Sequence, residues 1–230
     1  MLTSFYTAST GAIELKKGMD VTANNIANVS TTGYQPIKSA FSDLVYTTIH
    51  QNGGPVSGHG TKLQKTDTVF AGGSLQQTER KQDYALTGTD EFFAVRSGNG
   101  VRYTRNGNFH ISLQAGGNYL VDSEGGYVLD ANGRPVTVQN EDATANVGAF
   151  SFQNCGGLLA DGDSYYTATA ASGAPRAVAQ PEVKQGYLEN SAVSVADEMV
   201  SVLELQRGFQ FNSKIVQISD EIMQTVNNMR

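Results

Sequence analysis

Three histidines, one cysteine and a scatter of acidic residues are the groups through which this chain could do chemistry. His50, His59 and His110 share no ligand spacing, and the HExxH, CxxC and phosphate-loop patterns are absent, so neither a metal nor a nucleotide site is expected. Gly98-Asn99-Gly100 lacks the third glycine and the strand-to-helix setting of a dinucleotide turn. Cys155 lies in Asn154-Cys155-Gly156-Gly157 with no histidine placed by sequence to activate it, and reads as an inert turn thiol. Glu91, Asp122, Asp130, Asp161 and Asp163 are the carboxylates that could pair for glycoside hydrolysis, but nothing selects two of them. No catalytic residue, cofactor or metal is assigned. The remaining polar cluster is Asn24, Asn25 and Asn28, set among small and apolar residues late in a helical pattern. Asparagine is a poor helix former there. Its use would be hydrogen bonding to a neighbouring backbone or to another asparagine, against the plainer expectation of a solvated helix end.

The elements around these residues are clearer than the chemistry. Leu2, Phe5, Ala8, Ala12, Leu15, Met19, Thr22, Ile26 and Val29 step by three and four, a heptad seam over residues 1 to about 30. Gly11 and Gly18 lie seven apart on one face, removing bulk where another backbone could come close, and Gly33 is a credible stop. A longer pattern closes the chain. Val195, Met199, Val202, Leu205, Phe209, Val216, Met223 and Val226 form one row, continued through Asn212 and Ser219. Ile215, Ile218, Ile222, Thr225 and Met229 form a second row beside it. Such a wide apolar face needs more than one partner. Ser194 followed by Asp197 is a capping-box-like start, and Gly208 costs about 1 kcal/mol relative to alanine.

Between the helices, residues 35–80 read as an extended connector, with Pro36 excluding helix at Gln35 and flexible turns at Asn52-Gly53-Gly54-Pro55 and Ser57-Gly58-His59-Gly60. Phe41, Leu44, Val45 and Ile49 fit a short helix or a strand. From residue 83 to about 180, turn signals recur every eight to ten residues: Ser97 to Gly100, Asn106-Gly107, Gly116-Gly117-Asn118, Glu124 to Gly126, and Asn132-Gly133. The runs between them alternate, as in Val101/Tyr103, Phe109/Ile111/Leu113, Tyr119/Val121 and Val136/Val138. They imply a meander of short strands with its own core. Ala170 to Pro181 reads as a loop. The organisation expected is therefore mixed α and β: long coiled-coil-type helices at both termini flank an all-β domain, with an extended connector. The segments are 1–33 (N-terminal helix), 34–82 (connector), 83–185 (β domain) and 186–230 (C-terminal helix).

Composition narrows the partners. With 16 basic and 22 acidic residues the net charge is −6, and no basic cluster points to nucleic acid. No apolar run approaches the ~20 residues of a membrane span, and the N-terminus lacks the features of a cleaved signal peptide. The lone cysteine permits no internal disulfide.

Several stretches together carry a family resemblance. Ala23 to Gln35 (ANNIANVSTTGYQ) resembles the N-terminal signature of the bacterial flagellar rod and hook proteins, and Glu198 to Val226 their C-terminal signature. Gln185 to Ser191, Ala85 to Gly88, Phe92-Phe93 and Tyr103 to Phe109 fall between them in the family's order. Ala40 to Tyr46 and Gly73 to Thr78 are most similar to the distal branch of the rod subunits, while the shortness of the chain keeps the proximal branch, or a short hook-type subunit, open as the alternative. The resemblance implies a structural subunit that polymerises into a helical tube and transmits motor torque towards the hook. Its implied place is the flagellar basal body, outside the cytoplasmic membrane, reached without a cleaved signal peptide. Its implied partners are copies of itself, other flagellar rod and hook subunits, and the flagellar export apparatus, with no nucleic acid and no membrane span. The interface expected is the two seams: Leu2, Phe5, Ala12, Leu15, Met19, Ile26 and Val29 at the N-terminus, and Val195, Met199, Val202, Leu205, Phe209, Val216, Ile222, Met223 and Val226 at the C-terminus. The competing class is a secreted carbohydrate-binding or hydrolytic β domain carrying oligomerising helical arms.

Overall fold

A computed structural model describes residues 3–48, 56–98, 100–114, 117–138 and 145–229. Leu2, Ile49, His50, Asn52 to Pro55, Asn99 and Gly116, all named above, lie outside the described residues. The fold is mixed α and β, with N- and C-terminal helices on either side of a mostly β region in the chain. Two compact units are formed, one from residues 1–27, 37–67 and 194–230, the other from 28–36 and 68–193.

The first unit is built on helix α1 (Thr3–Ala27) and helix α2 (Val195–Asn228). Ser194 caps α2 by accepting a hydrogen bond from the Asp197 N–H at 3.5 Å, and Asp197 and Glu198 place negative charge at the positive end of the helix dipole. The helices run antiparallel, because partners rise in number on α1 as they fall on α2. Gly11 faces Asn212, Gly208 faces Leu15, and Gly18 faces Leu205. Asn25 continues the series by donating to Glu198 at 3.0 Å.

α1 ends at Ala27, six residues before Gly33. The Asn25 side chain accounts for the exit of the chain. Its amide nitrogen donates to the Ile37 carbonyl at 2.8 Å, and its oxygen accepts from the Ile37 N–H at 2.9 Å. A side chain bonded this way to an extended strand is not a solvated helix end, so the plainer expectation for this asparagine is corrected. The strand it holds, Ile37–Asp43, pairs with Thr61–Thr68. A strand pair thus occupies much of the stretch read as a connector without clear structure. Thr-rich and alternating polar residues (Thr61, Lys62, Leu63, Gln64) conceal it, because a strand packed on one face only needs few large apolar residues.

The second unit is organised around strand Glu91–Ser97, whose residues Phe92 to Val95 are buried on both faces. Gly100–Thr104 pairs along one edge of it. Its other edge is shared: Tyr127–Val128 pairs with Arg96 and Val95, and Ala149–Ser151 with Phe93, Phe92 and Glu91. The fork lets one strand serve two cores. Phe93 and Val95 pack with Phe109, Leu120 and Val128, while Phe92 and Ala94 pack with Tyr103, Phe152 and Tyr166. The hairpin His110–Gln114/Gly117–Val121 extends the sheet. Leu113, read as an inward strand position, is 80% exposed at its tip. Arg176–Ala177, inside the stretch read as a loop, pairs with Phe150 and Ser151. Two further antiparallel pairs, Tyr84–Leu86 with Val183–Gln185 and Leu75–Gln77 with Tyr187–Glu189, complete the unit.

Candidate functional site

The groups that could do chemistry are committed to structure. The Asp122 carboxylate is buried and accepts from the N–H groups of Glu124 (3.0 Å) and Gly126 (2.6 Å) and from the Tyr165 hydroxyl (2.7 Å). Asp130 caps its own turn, accepting from the N–H groups of Asn132 and Arg134, both at 2.8 Å. Burial pushes its carboxyl up, but those backbone donors outweigh it and hold it below the usual range. Burial raises the Glu91 carboxyl, with the Arg105 guanidinium opposing that rise. The Cys155 thiol is pushed up by burial and by the neighbouring Asp90 carboxylate, the opposite of what a nucleophilic cysteine requires. His59 and His110 are exposed. Among the described residues no group of histidine, cysteine and acidic side chains could hold a metal ion, and no helix is long and apolar enough to cross a membrane.

One buried cluster joins motifs distant in sequence. Arg105 and Glu189 are both fully enclosed, 84 residues apart. The guanidinium donates Nε to Glu189 Oε2 at 3.0 Å and Nη2 to Oε1 at 3.0 Å, a bidentate pair. Its Nη1 donates to the carbonyls of Gly88 (2.9 Å), Thr89 (2.8 Å) and Glu91 (3.0 Å). Glu189 in turn accepts from the Gly73 N–H at 2.8 Å, and its own carbonyl accepts from the Gly33 N–H at 2.8 Å. Gly33 has φ +68°, and a Cβ there would stand 2.6 Å from the Asn106 nitrogen. Only glycine fits both the dihedral and the space. Arg105, Glu189 and Gly33 stand in the stretches that carry the family resemblance, and their common purpose is visible only in the fold: they clamp the backbone carbonyls of Gly88, Thr89 and Glu91 to the strand end at Glu189.

The helix pair distributes its side chains differently. The buried residues of α1 are small or polar: Ala8, Gly11, Glu14, Gly18, Thr22 and Asn25. They face both α2 and the strands, since Gly18 meets Phe41 as well as Leu205, and Asn25 bonds both Ile37 and Glu198. On α2 the facing positions include Leu205, Gly208, Asn212 and the buried Ser219. A Cβ on Gly208 would meet Leu15 Cδ1 at 3.0 Å, and one on Gly11 would meet the Asn212 amide at 3.1 Å. The residues sequence analysis placed on the seams are divided accordingly. Ala12, Leu15, Met19, Ile26, Val29, Val202, Leu205 and Val216 are half-buried. Phe5, Val195, Met199, Phe209, Ile222, Met223 and Val226 are exposed, with Ile13, Phe211, Ile215 and Ile218 beside them. Leu2 lies outside the described residues. Gly11, Gly18 and Gly208 leave room for the side chains of Asn212, Leu205 and Leu15 respectively, so the contact mixes small residues with members of the expected rows.

Similarity to known proteins covers both units. Residues 5–35 match the family described as "Flagella basal body rod protein", residues 85–156 the "Flagellar hook protein FlgE/F/G D1 domain", and residues 184–229 the "Flagellar basal body rod FlgEFG protein C-terminal". The chain is 32% identical to the flagellar basal-body rod protein FlgG of Borreliella burgdorferi, covering 100% of this chain and 99% of that protein. It is also 32% identical to FlgG of Bacillus subtilis over 100% of both chains. A more divergent relative, the flagellar hook-basal body complex protein FlhP of Bacillus subtilis, is 27% identical over 100% of both.

Proposed function

This chain belongs to the flagellar basal-body rod protein family, on its distal-rod branch, and is a structural rod subunit; on that footing we propose that its copies polymerise through their helix pairs into a helical tube that transmits torque from the motor towards the hook. The observation that carries the reading is the outward apolar face of the helices. Each large side chain there is worth about 1.5–3 kcal/mol once buried, and a lone subunit leaves Phe211 73% and Met223 53% exposed. The contact is heterologous and does not close, so it propagates. In this reading α1 and α2 form a coiled-coil-type pair in the axial core, segments 1–33 and 186–230. Segment 34–82 packs on neighbouring subunits, and the β domain, 83–185, lies outside the core. The partners are further copies, other rod and hook subunits, and the export apparatus that delivers the chain to the basal body. The chain acts as a building block and not as an enzyme.

Val216→Asp tests this. Val216 is half-buried beside the exposed Phe209 on α2, and a carboxylate placed there would lose its hydration in the assembled rod, a cost that Lys16 at the groove edge would not fully offset. Export and β-unit folding are expected to continue while rod growth stops, read by immunoblotting of secreted protein and by electron microscopy of basal bodies. Normal rods and motility from this variant would overturn the proposed packing.

A further inference from the structure

α2 is longer than its partner. With Gly11 opposite Asn212 and Leu15 opposite Gly208, α2 positions beyond about Ser219 have no described α1 residue across from them. The overhang, about 10 residues or roughly 15 Å of helix, carries Ile222, Val226 and Met229 on a surface that starts at Ile218 and also presents Glu221. Further along the same unit a shallow groove runs between the helices. Ala12, Ile13 and Lys16 wall it from α1, and Phe209 and Val216 from α2. One feature is an apolar ridge edged by an anion, the other an apolar trough edged by a cation.

The two cannot meet within one copy. Lys16 lies next to Leu15, level with α2 near Gly208, whereas Glu221 is 13 positions further along α2 than Gly208, roughly 20 Å away at 1.5 Å per residue. Among the described residues neither side chain has an ion-pair partner in its own chain. We infer that the overhanging end of α2 from one copy seats in the α1/α2 groove of a second copy, with Glu221 of the incoming helix paired to Lys16. This rests on the polymer reading above and specifies which surface of a copy receives which. The contact joins two different patches, so every seated copy still offers a free groove and a free overhang, as an open-ended assembly requires. The apolar residues supply the attraction. The charge pair supplies register, since sliding the ridge by one turn brings Glu221 away from Lys16 and towards uncharged groove residues.

The test is a charge exchange in cells whose sole copy of the protein carries the changes. Lys16→Glu and Glu221→Lys are each expected to abolish rod completion and motility, and the double exchange to restore both. Harmless single variants, or a double variant as defective as the singles, would overturn the docking. An independent reading uses Ile13→Cys with Ile222→Cys in a Cys155→Ser background, with oxidation of isolated basal bodies. A ladder of multiples of this one chain is expected. Intact rods without the ladder, or a cross-link to a different rod protein, would overturn the assignment of a second copy to the groove. If the cysteine variant does not assemble, the charge exchange alone decides. The parent reading fails separately: unmodified protein absent from purified basal bodies would remove the polymer itself, not only this contact.

Discussion

In the β unit Phe92, Phe93, Val95, Leu120 and Val128 are sealed from water, and the largest polar side chain among them, Arg105, is fully hydrogen-bonded. In the helix unit the buried seam holds Gly11, Gly18, Thr22, Asn25 and Ser219, while Met199, Leu203, Phe211 and Met223 face outward. The first arrangement completes itself within one chain. The second leaves apolar surface exposed, and its two helices meet through Leu15 against Gly208, Leu205 against Gly18, Asn212 against Gly11 and the Asn25–Glu198 hydrogen bond. Under the proposed assembly this division has a use. The β unit has its own core, whereas under the proposed assembly the helices would gain burial from neighbouring copies and draw stability from them. In denaturant the free chain is accordingly expected to lose helical signal at 222 nm before the near-ultraviolet signal of its buried tyrosines. A single coincident transition would break the comparison.

The largest effect on one side of this comparison is expected from Arg105→Ala. It leaves the Glu189 carboxylate buried and unpaired and strands the carbonyls of Gly88, Thr89 and Glu91. Loss of one partner from a buried pair costs about 3–5 kcal/mol. The near-ultraviolet transition should move to markedly lower denaturant. Replacing both partners by apolar residues, Arg105→Met with Glu189→Leu, often restores stability for a simple ion pair. Here it is expected to fail, because the guanidinium and carboxylate also bind backbone groups, including the Gly73 N–H. Full recovery would show that the pair is not the clamp described.

A smaller effect belongs to the helix seam. Gly208→Leu gains about 0.8 kcal/mol in helix propensity but forces a side chain into the space Leu15 occupies, at 3.0 Å for the Cβ alone. Overpacking costs about 1–3 kcal/mol, so the net change should be destabilising and confined to the 222 nm transition. A more stable helix signal in this variant would mean that the seam is not closely packed.

How much of this could be read from sequence differs between the same two regions. The helices were visible in their three-and-four spacing, and the close-approach role of Gly11 and Gly18 was visible in their separation. What the spacing does not show is how much of the buried surface is small or polar. The buried α1 residues are Ala8, Gly11, Glu14, Gly18, Thr22 and Asn25, of which Ala8 and Thr22 belong to the expected row, while Leu15, Leu205 and Asn212 of the expected rows meet glycines across the helix pair. In the β unit the turn signals and alternation located most strands, including those at Phe150 and Tyr165-Tyr166. The strand pair at Ile37–Asp43 and Thr61–Thr68 escaped because its residues are mostly polar. The Arg105–Glu189 clamp has no local signature at all, since its partners are set by tertiary folding across 84 positions.

The smallest expected effect concerns the one charged side chain buried along the helix pair. Glu14 donates nothing and accepts twice, from Lys17 Nζ at 2.6 Å and from the Leu63 N–H at 2.7 Å, so it ties α1 to the strand Thr61–Thr68. The Lys17 hydrogen bond, then the Leu63 N–H, hold its carboxyl below the usual carboxylate range despite some opposing desolvation. A folded-state pKa lower than the unfolded one stabilises the fold above the unfolded value, about 4.3 for glutamate, and that stabilisation is lost as pH falls through the folded value. Between pH 8 and pH 5 the attachment of the strand should therefore be constant, and it should loosen only below about pH 4. Amide exchange at Leu63 measures it, with Glu14→Gln as control. The variant is expected to exchange faster at pH 7, where the neutral amide is a weaker acceptor and has lost Lys17, and to show a flatter response to acid. Equal exchange at Leu63 in the two proteins at pH 7 would mean that the Glu14 carboxylate does not hold the strand, and that the buried face of α1 relies on its small residues alone.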